Sequence, residues 1–554
     1  MHTRLVVTSA LPYANGPLHF GHLAGAYLPA DIYTRYRRLR GTEVVHVCGS
    51  DEHGVAIMLN AEKQGIPYKE YVDRYHAEHA ALFKSYGVEF SIFGRTSSDG
   101  HAKNSQAFFT ELKKKGHIEA GEEEQPYCKN CERFLPDRYL GGIHAKCGYK
   151  DARGDECPSC GAWLSLGDLT DLFCRICKDK QVEIRVERQY FLLLDHFAGE
   201  LKRWLSTRTD WKTNITEYAL SLIDKGLPKR AITRNLDWGI PVPGEDTSKK
   251  LYVWFEAPIG YYSNLEKWCS DHKQPFNEWF SHETPVMHFI GKDNIVFHTI
   301  VWPAMLLGMG YALPANVPAN MYLQLEGRKF SKSDGWYLDA QGFVAKFGVD
   351  RVRYYLTRII PEWNDTNFQA EAFKNLVNGE LVNNLANLFN RSLSMLEKNF
   401  GGEVTVVHEP CPELEAKLTE YQQLMDEFKF TEAMSVILSA GTQLNLYLQN
   451  TAPWTLVKNG KLQEARDALS FVASHGLRIA AMMAPFLPHY TAKLATKYGL
   501  KEDIFASIAK QHYTLKALPS ALRLDATVDI KLPRVEDADL TALRAEMEGY
   551  KAQV

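Results

Sequence analysis

Two short strings in this 554-residue chain carry side chains of the types that can bind phosphate. The first follows an apolar, strand-like run and opens a helix-like stretch: Pro17-Leu18-His19-Phe20-Gly21-His22. At a strand end in an α/β sheet, a helix N-terminus binds phosphate, and glycine lets the backbone approach closely. The second string places two lysines three residues apart: Lys329-Phe330-Ser331-Lys332-Ser333. Two imidazoles and two ammonium groups around one triphosphate would stabilise the charge that develops during attack at the α-phosphorus.

Each string has an ordinary structural explanation when it stands alone. A lone His-x-Gly-His sequence is often only structural, and a lysine-rich loop is usually a solvated surface. Both strings in this order, with sheet-like chain between them, favour a common nucleotide site.

The first unit, about residues 1–112, alternates strand and helix patterns. We expect strands over 5–9 and 43–48 and an amphipathic helix over 23–39, which Pro29 must kink because proline donates no amide hydrogen. The loops after these strands carry Tyr13 and Asp51. Ligands bind at the carboxyl edge of an open α/β sheet, so both side chains are candidate ligand contacts.

A cysteine-rich and glycine-rich region follows over about 113–225. Strand patterns return over 233–243, 250–254 and 286–290, so an insertion splits the α/β domain. The apolar stretch 296–313 contains His298 and Pro303 and predicts a buried helix rather than a membrane span. From residue 340 to about 515 the pattern is almost wholly helical. The tail from Lys516 either packs back on the body or forms a linker.

Four pairs of metal-ligand side chains lie in the insertion, each pair separated by two residues. Tetrahedral zinc needs two such pairs, so eight ligands make two closed, structural sites. Spacing alone leaves open which pairs share an ion, and redox dithiols or chance thiols are the alternative. The pairs are Cys128 and Cys131, His144 and Cys147, Cys157 and Cys160, and Cys174 and Cys177.

Composition sets the broad class of the protein. The chain is too long for one core, and 45% hydrophobic with 24% charged residues is typical of a globular protein. The net charge of −3 gives no hint of a polyanionic partner. The N-terminal apolar run is brief and Pro12 interrupts it, so we expect no signal peptide and no membrane. We therefore expect a cytoplasmic protein whose ten cysteines are metal ligands or buried thiols rather than disulfides.

The two phosphate strings resemble the signature sequences of class I aminoacyl-tRNA synthetases. The likeness covers about residues 1–515, and two flanking stretches resemble the methionyl-tRNA synthetase family in particular. These stretches are Thr8-Ser9-Ala10-Leu11-Pro12-Tyr13-Ala14-Asn15-Gly16 and Tyr252-Val253-Trp254-Phe255-Glu256-Ala257-Pro258-Ile259-Gly260-Tyr261. The resemblance implies an α/β, Rossmann-like parallel-sheet catalytic domain, split by a zinc-knuckle insertion and followed by an all-α anticodon-binding bundle. The segments would be 1–112 and 226–322 for the catalytic halves, 113–225 for the insertion, 323–365 for the lysine loop and stem-contact region, 366–515 for the bundle and 516–554 for the tail.

The same resemblance implies a methionine pocket. Asp51 would pair with the α-ammonium group, and the side-chain cavity would place aromatic rings around the thioether, which they contact favourably. At Asn294 the chain departs from the apolar residue usual in the family. The implied pocket residues are Ala10, Leu11, Tyr13, Asp51, Val253, Trp254, Ala257, Pro258, Tyr261, Phe297 and His298.

For ATP, which Mg²⁺ would accompany, the resemblance implies catalytic and binding residues. The substrate carboxylate attacks, so no protein nucleophile is needed, and the protein supplies positioning and electrostatic stabilisation. Phe330 replaces the methionine usual in the lysine loop. The catalytic residues would be His19, His22, Lys329 and Lys332, and the ATP-binding residues Gly21, Gly291, Lys292, Asp293 and Lys332.

For the insertion, the resemblance implies nested metal pairing. The outer two pairs would share one zinc ion and the inner two the other, with His144 where the family commonly has cysteine. Relatives that activate leucine, isoleucine or valine carry a much larger editing insertion, whereas 113–225 has room for zinc knuckles and little else.

For the helical end, the resemblance implies anticodon contacts with elongator and initiator tRNA(Met). Trp454 would stack on a splayed base while polar side chains bond its edge. Because the net charge is slightly negative, tRNA contacts must use local basic patches. Some relatives dimerise through a further tRNA-binding module, which this sequence lacks, so we expect a monomer. The anticodon residues would be Asn383, Asn387, Arg391 and Trp454, and the basic patches Lys225, Lys229, Arg230 and Arg234, or Arg351, Arg353 and Arg358.

We therefore expect ATP to activate L-methionine as methionyl-adenylate, which then esterifies the 3′-terminal adenosine of tRNA(Met), first at its 2′-hydroxyl. A smaller nucleotidyltransferase with a His-x-Gly-His string leaves the lysine loop and the helical end unexplained. A non-catalytic zinc-knuckle RNA-binding protein explains the cysteines but not the two phosphate strings. Methionine-dependent exchange of pyrophosphate into ATP separates these three hypotheses.

Overall fold

A computed structural model describes residues 3–154, 157–160, 162, 164–330 and 336–552. The first part of the chain alternates strands and helices, as its pattern predicts. The strands are β1 (Arg4–Ser9), β2 (Glu43–Ser50) and β3 (Ile92–Arg95), and the helices are α1 (Phe20–His22), α2 (Leu28–Leu39), α3 (Val55–Gln64), α4 (Tyr68–Ser85) and α5 (Asp99–Lys114).

A π-helical turn, Leu23–Tyr27, joins α1 to α2 directly before Pro29. Pro29 has no amide hydrogen, so the carbonyl of Gly25, four residues earlier, lacks its α-helical donor. The side-chain amide of Asn320 donates to this carbonyl at 2.9 Å. The irregularity expected at Pro29 is therefore present as a wide turn, and a distant side chain satisfies the backbone there.

The insertion is built on one long antiparallel pair of strands. β4 (Ile118–Cys128) and β9 (Val182–Leu192) pair over their whole length, from Ile118 opposite Leu192 to Cys128 opposite Val182. The shorter strands flank this pair or form a small three-stranded sheet. The other elements here are β5 (Arg133–Phe134), β6 (Leu140–His144), β7 (Ala152–Arg153), β8 (Leu169–Cys174), α6 (Ala198–Ser206), α7 (Thr213–Asp224) and the 3₁₀ turns Asp137–Tyr139, Leu166–Asp168 and Leu194–Phe197.

After the insertion, some of the predicted strands are shorter than expected. The strand predicted over 233–243 is wrong beyond Asn235, because Gly239 has a φ of +147° and the prolines that follow cannot donate to a ladder. The strand predicted over 250–254 ends at Leu251, and a helix begins at Val253. The stretch 296–313 is helical, with a π-helical turn at Phe297–Val301. The elements are β10 (Arg230–Ala231), β11 (Thr233–Asn235), β12 (Lys249–Leu251), α8 (Val253–Glu256), α9 (Ile259–Asp271), α10 (Phe276–Trp279), β13 (Val286–Gly291), the 3₁₀ turn Lys292–Asn294, α11 (Trp302–Met309) and β14 (Ala319–Asn320).

Strands from both sides of the insertion form one parallel sheet. Its order is β14-β13-β1-β2-β3, so β1 is the central strand. Val7 in β1 lies opposite His46 in β2 and Met287 in β13. The carboxyl ends of these strands meet at one edge, which brings residues almost 300 positions apart into one place.

The rest of the chain is mainly helical. Two short strands, β15 (Leu323–Leu325) and β16 (Thr366–Phe368), pair in parallel, and the first two helices of this region lie between them in the sequence. Among the described residues, no helix has both the length and the apolar character that a membrane crossing requires. The elements are β15 (Leu323–Leu325), α12 (Ala340–Phe347), α13 (Val349–Arg358), β16 (Thr366–Phe368), α14 (Ala370–Leu376), the π-helical stretch Val377–Ala386, α15 (Asn387–Phe400), β17 (Glu403–Thr405), α16 (Pro412–Asp426), α17 (Phe430–Thr451), α18 (Pro453–Lys458), α19 (Leu462–Met483), α20 (Pro488–Lys497), α21 (Ile504–Lys510), β18 (Ala521–Arg523) and α22 (Asp537–Ala552).

The tail from Lys516 packs back on the helical region. β18 pairs antiparallel with β17. Val535 and Asn378 exchange two hydrogen bonds of 2.8 and 2.9 Å. Arg544 reaches Glu371 at 3.1 Å. Of the two alternatives that the sequence left open, packing on the body is therefore the one observed.

One buried arginine ties the helical region to the sheet domain. Arg353 in α13 is fully buried and donates to Asp31 Oδ2 in α2 at 2.7 Å. It also donates to the carbonyls of Tyr86 at 3.0 Å and Phe486 at 2.8 Å. A buried charge needs all of these partners, so the contact holds three parts of the chain in one arrangement.

Candidate active site and metal centres

A cleft of about 540 Å³ lies at the carboxyl edge of the parallel sheet. Its walls come from the ends of four strands, from the start of α1 and from the lysine loop. Residues predicted for the methionine site and residues predicted for the ATP site therefore line one cavity. The predicted catalytic residue Lys332 lies outside the described residues. The predicted residues that line it are Ala10, Leu11, Tyr13, His19, Gly21, His22, Asp51, Gly291, Asp293 and Lys329, together with Asn294.

The two histidines of the first phosphate string form a capped helix start. His19 Nδ1 accepts the amide N–H of Gly21, and His22 Nδ1 accepts that of His19, both at 3.1 Å. A neutral imidazole whose Nδ1 accepts carries its proton on Nε2, so both rings can donate to phosphate without being charged. A Cβ at Gly21 would lie 2.9 Å from His19 Cε1, so this ring position requires glycine.

The lysine loop contacts this histidine pair through an unexpected residue. Phe330 stacks on His19, with ring centroids 4.4 Å apart and planes 5° from parallel. The neighbouring Lys329 Nζ lies 5.6 Å from the centre of the Tyr322 ring. Sequence reasoning treated Phe330 only as a replacement at a loop position, whereas its ring joins the two phosphate strings.

The opposite side of the cleft carries groups suited to ribose and phosphate. The Tyr322 hydroxyl donates to Asp293 in the 3₁₀ turn after β13. Lys292 Nζ forms a 3.0 Å salt bridge with Asp365 and lies 3.7 Å from the centre of the Tyr322 ring. Asp365 and Tyr322 are members of this site that the sequence did not indicate.

Asp51 places a buried carboxyl group just after the end of β2. Among the described residues its Oδ1 has no hydrogen-bond partner, although it is buried. Burial, reinforced by the charges of Glu256 and Glu52, raises the pKa of Asp51 well above its usual value. A cation placed beside Oδ1 would favour the ionised form, so this carboxyl group fits an ammonium ligand.

A second buried carboxylate lies behind Asp51. Glu256 is fully buried and contacts His53 Nδ1 at 3.0 Å and His101 Nε2 at 2.6 Å. Burial opposes ionisation, but the two imidazoles outweigh it and lower the pKa of Glu256. The sequence analysis missed this network, although His53 lies two residues after Asp51 and Glu256 two after Trp254.

Aromatic rings lie close to Asp51. Trp254 and Phe297 meet edge to face with ring centroids 5.1 Å apart. A smaller cleft of about 190 Å³ is lined by Tyr13, Asp51, Val253 and Trp254 among others. The carboxylate and the aromatic walls of the predicted pocket are therefore adjacent.

Tyr261 and His298 form a neutral, buried pair near these rings. His298 Nδ1–H donates to the Asn294 carbonyl at 2.9 Å, so Nε2 accepts the Tyr261 hydroxyl at 2.8 Å. Burial lowers the pKa of His298 to about 4, which keeps the ring uncharged. Of the predicted pocket residues, Ala257, Pro258, Tyr261, Phe297 and His298 line neither of these two clefts, although Phe297 and Trp254 together line an adjoining cavity of about 650 Å³.

The insertion gathers its metal-ligand side chains into two groups. Within each group all ligand atoms lie within 4.8 Å of one another. The grouping is nested, as the resemblance implied and as spacing alone could not decide. The Cys₄ set and the Cys₃His set each supply four ligands of the types that a closed tetrahedral zinc site requires. The outer group is Cys128, Cys131, Cys174 and Cys177, and the inner group is His144, Cys147, Cys157 and Cys160.

Family comparisons agree with this architecture. Residues 5–393 match the family model for tRNA synthetases class I (M). Residues 401–552 match the model for the anticodon binding domain of methionyl tRNA ligase. The chain belongs to the methionyl-tRNA synthetase family.

Individual members of the methionyl-tRNA synthetase family match over most of their length. A methionine–tRNA ligase of Rubrobacter xylanophilus is 39% identical over 516 residues, which cover 89% of each chain. One of Dehalococcoides mccartyi strain CBDB1 is 40% identical and covers 91% of this chain and 93% of its own. The solved Mycobacterium tuberculosis methionyl-tRNA synthetase in complex with methionyl-adenylate superimposes with a TM-score of 0.80 at 25% identity, over 96% of this chain and all of the other.

The residues that the methionyl-tRNA synthetase resemblance assigns to the anticodon lie in the helical region. The Arg391 guanidinium carbon lies 5.1 Å from the centre of the Trp454 ring, which is 40% exposed in the first turn of α18. Asn383 is exposed and accepts a hydrogen bond from Arg534 of the tail at 2.5 Å, whereas Asn387 is half-buried. The structure thus brings Arg391 and Trp454 together and links Asn383 to the tail.

Proposed function

We propose that this protein activates L-methionine with ATP and transfers the methionyl group to the 3′-terminal adenosine of tRNA(Met). The observation that carries the proposal is the shared cleft, where a buried carboxylate and aromatic rings meet the histidine pair and Lys329. A binding module would need no such junction between an ammonium site and a phosphate site.

Methionine enters at the Asp51 end of the cleft. Its α-ammonium group pairs with Asp51 Oδ1, and its thioether lies among aromatic rings such as Trp254 and Phe297, where each sulfur–aromatic contact contributes about 0.3–1.5 kcal/mol. The Glu256 network holds a fixed negative charge behind Asp51 and so favours an incoming cation. This arrangement points the substrate carboxylate toward the nucleotide.

ATP occupies the other end of the cleft, accompanied by Mg²⁺. The methionine carboxylate attacks the α-phosphorus, a new C–O–P bond forms, and the bond from the α-phosphorus to the bridging oxygen of pyrophosphate breaks. The Nε2–H groups of His19 and His22, with Lys329 and Lys332, stabilise the charge that moves onto the phosphates. Asp293 contacts the ribose, and Gly21, Gly291 and Lys292 complete the nucleotide site.

Two structural zinc ions would be held by the two ligand groups of the insertion and would cross-link its short strands. Elongator and initiator tRNA(Met) are the proposed partners, and the cytoplasm is the proposed location. Asn383, Asn387, Arg391 and Trp454 contact the anticodon.

The test is amino-acid-dependent exchange of pyrophosphate into ATP with each of the twenty amino acids. Methionine supports the fastest exchange, and leucine and isoleucine support far less because their side chains lack the sulfur and differ in shape. Exchange that another amino acid drives faster, or none with any amino acid, would contradict the proposal.

A further inference from the structure

The wide turn Leu23–Tyr27 follows the histidine pair directly. His22 is the residue before the turn, and Gly25 within it lines the ATP cleft together with His19 and His22. Turns of this π type are rare and occur frequently at functional sites. An α-helix advances by about 100° per residue, so relaxation to a regular turn would rotate α1 about its axis. The width of this turn therefore sets the direction in which the histidine rings face.

A side chain from the sheet contacts this turn from outside. Asn320 lies on β14 opposite Gly291 of β13 and is buried. Its Nδ2 donates to the Gly25 carbonyl at 2.9 Å. Because β14 is a strand of the parallel sheet, this hydrogen bond ties the turn to the edge of the sheet that carries the ATP cleft.

Lys212 determines which end of the Asn320 amide faces the turn. Its buried ammonium group donates to Asn320 Oδ1 at 3.2 Å, to the Ala319 carbonyl at 3.1 Å and to the Glu362 carbonyl at 2.6 Å. Three acceptors match the three hydrogens of an ammonium group. Burial lowers the pKa of Lys212 to about 8, against the opposing effect of Glu362, so the charged form predominates at pH 7. An ammonium group only donates and a carbonyl only accepts, so Oδ1 faces Lys212 and Nδ2 faces Gly25.

The position of one histidine determines that of the other. His22 adjoins the wide turn, and its Nδ1 accepts the amide N–H of His19 at 3.1 Å. The two ring centroids are 3.8 Å apart. A shift of the turn would therefore move both rings.

We propose that Asn320, oriented by Lys212, is a positioning residue for the histidine pair. By holding the Gly25 carbonyl it keeps the turn wide, and the Nε2–H groups of His19 and His22 stay directed at the phosphates of ATP. The inference rests on the proposed function, in which these groups stabilise charge on the phosphates. Neither Lys212 nor Asn320 is among the described residues that line the cleft, so both act through the backbone of the turn.

Asn320→Ala removes the donor to the turn. A small misplacement of a catalytic group costs up to about 10²-fold in rate, so kcat for methionine-dependent pyrophosphate exchange falls about 10-fold to 100-fold. The KM for methionine stays within about 2-fold of wild type, because Asp51 lies at the end of a different strand. Asn316→Ala is the matched control, since Asn316 is also buried and donates to a main-chain carbonyl, that of Asp210. This control exchanges pyrophosphate within about 2-fold of wild type.

A double-mutant cycle with His22→Ala separates positioning from a general structural role. Formation of methionyl-adenylate is timed in single turnovers for the wild type, both single variants and the double variant. Without the His22 ring, Asn320 has lost the group that it positions, so Asn320→Ala slows the His22→Ala protein less than about 3-fold. A general structural role would slow both backgrounds by the same factor.

Asn320→Asp tests the donor in a protein that keeps its fold. The carboxylate has nearly the shape of the amide and pairs with Lys212, which keeps it ionised. It cannot donate to the Gly25 carbonyl. Exchange therefore slows about 10-fold to 100-fold, as in Asn320→Ala, while the Tm stays near the wild-type value.

The outcomes separate this inference from the proposed function. No exchange by the wild-type protein contradicts the proposed function and the inference with it. In an active wild-type protein, unchanged exchange in Asn320→Asp overturns the inference alone. An effect of Asn320→Ala that is equal with and without His22 also overturns it. A much smaller effect without His22, together with slow exchange and a normal Tm in Asn320→Asp, supports it.

Discussion

Asp51→Asn tests the ammonium site, because it removes one charge and keeps the shape of the side chain. Oδ1 of Asp51 is buried and unpartnered among the described residues, so a bound ammonium group would be its only close counter-ion there. Truncating one partner of a buried, hydrogen-bonded charge pair costs about 2–5 kcal/mol. The KM for methionine in pyrophosphate exchange should therefore rise about 30-fold to 5,000-fold, whereas the KM for ATP should stay near the wild-type value.

The pH dependence of methionine binding provides a second readout. The pKa of Asp51 is raised in the free protein, and a bound ammonium group would lower it. Methionine affinity should thus be constant above the free-protein pKa and fall about tenfold per pH unit below it, until the pKa of the complex is reached. Asp51→Asn should lose this dependence, which calorimetric titration at several pH values would measure.

Asp51→Asn should weaken methionine binding without lowering the thermal stability of the protein. A carboxyl group whose folded pKa lies above its unfolded value lowers stability as pH rises from the unfolded toward the folded pKa. The neutral amide of Asp51→Asn removes that cost, so its Tm at neutral pH should equal or exceed that of the wild type. A near-normal methionine KM in a folded Asp51→Asn protein would refute the assignment of the ammonium site, and a loss of Tm would refute the electrostatic argument.

Four further predictions concern other parts of the chain. Gly21→Ala should slow methionine-dependent exchange about 10²–10³-fold because its Cβ displaces the His19 ring, and a wild-type rate would contradict this. Trp454→Ala should cost about 1–3 kcal/mol in kcat/KM for tRNA charging with exchange intact, so equal damage to both would indicate misfolding. Metal analysis of the purified protein should find two zinc ions per chain, one for each group, and chelation should lower the Tm. Arg353→Met should lower the free energy of unfolding in urea by about 1–3 kcal/mol, because the buried carbonyls of Tyr86 and Phe486 lose their donor while Arg35 still pairs with Asp31 at 2.9 Å; an unchanged free energy would show that water replaces the guanidinium group.

Sequence patterns predicted the parts of the fold that depend on local periodicity. The strands over 5–9, 43–48 and 286–290 all exist within two residues of the expected ends, since short apolar runs between turn residues determine them. The strand over 233–243 failed because the apolar residues there pack as irregular chain around Gly239. The segment boundaries given above, such as 112/113 and 365/366, stay predictions.

The candidate site was predictable where a single motif carries several groups, as with His19, Gly21 and His22. The Glu256 network was not predictable, because its partners come from α5, α8 and the end of β2 and meet only through tertiary packing. The stack of Phe330 on His19 was not predictable for the same reason. Spacing showed which side chains could bind metal, but only the folded insertion shows which pairs share a group.

The most direct test of the account is charging of tRNA(Met) by the purified protein with ATP and labelled methionine. The account predicts a base-labile methionyl ester at the 3′ end, one AMP and one pyrophosphate for each ester, and no ester on tRNA without its terminal adenosine. Release of ADP in place of AMP, or AMP formation without any ester on intact tRNA(Met), would contradict it.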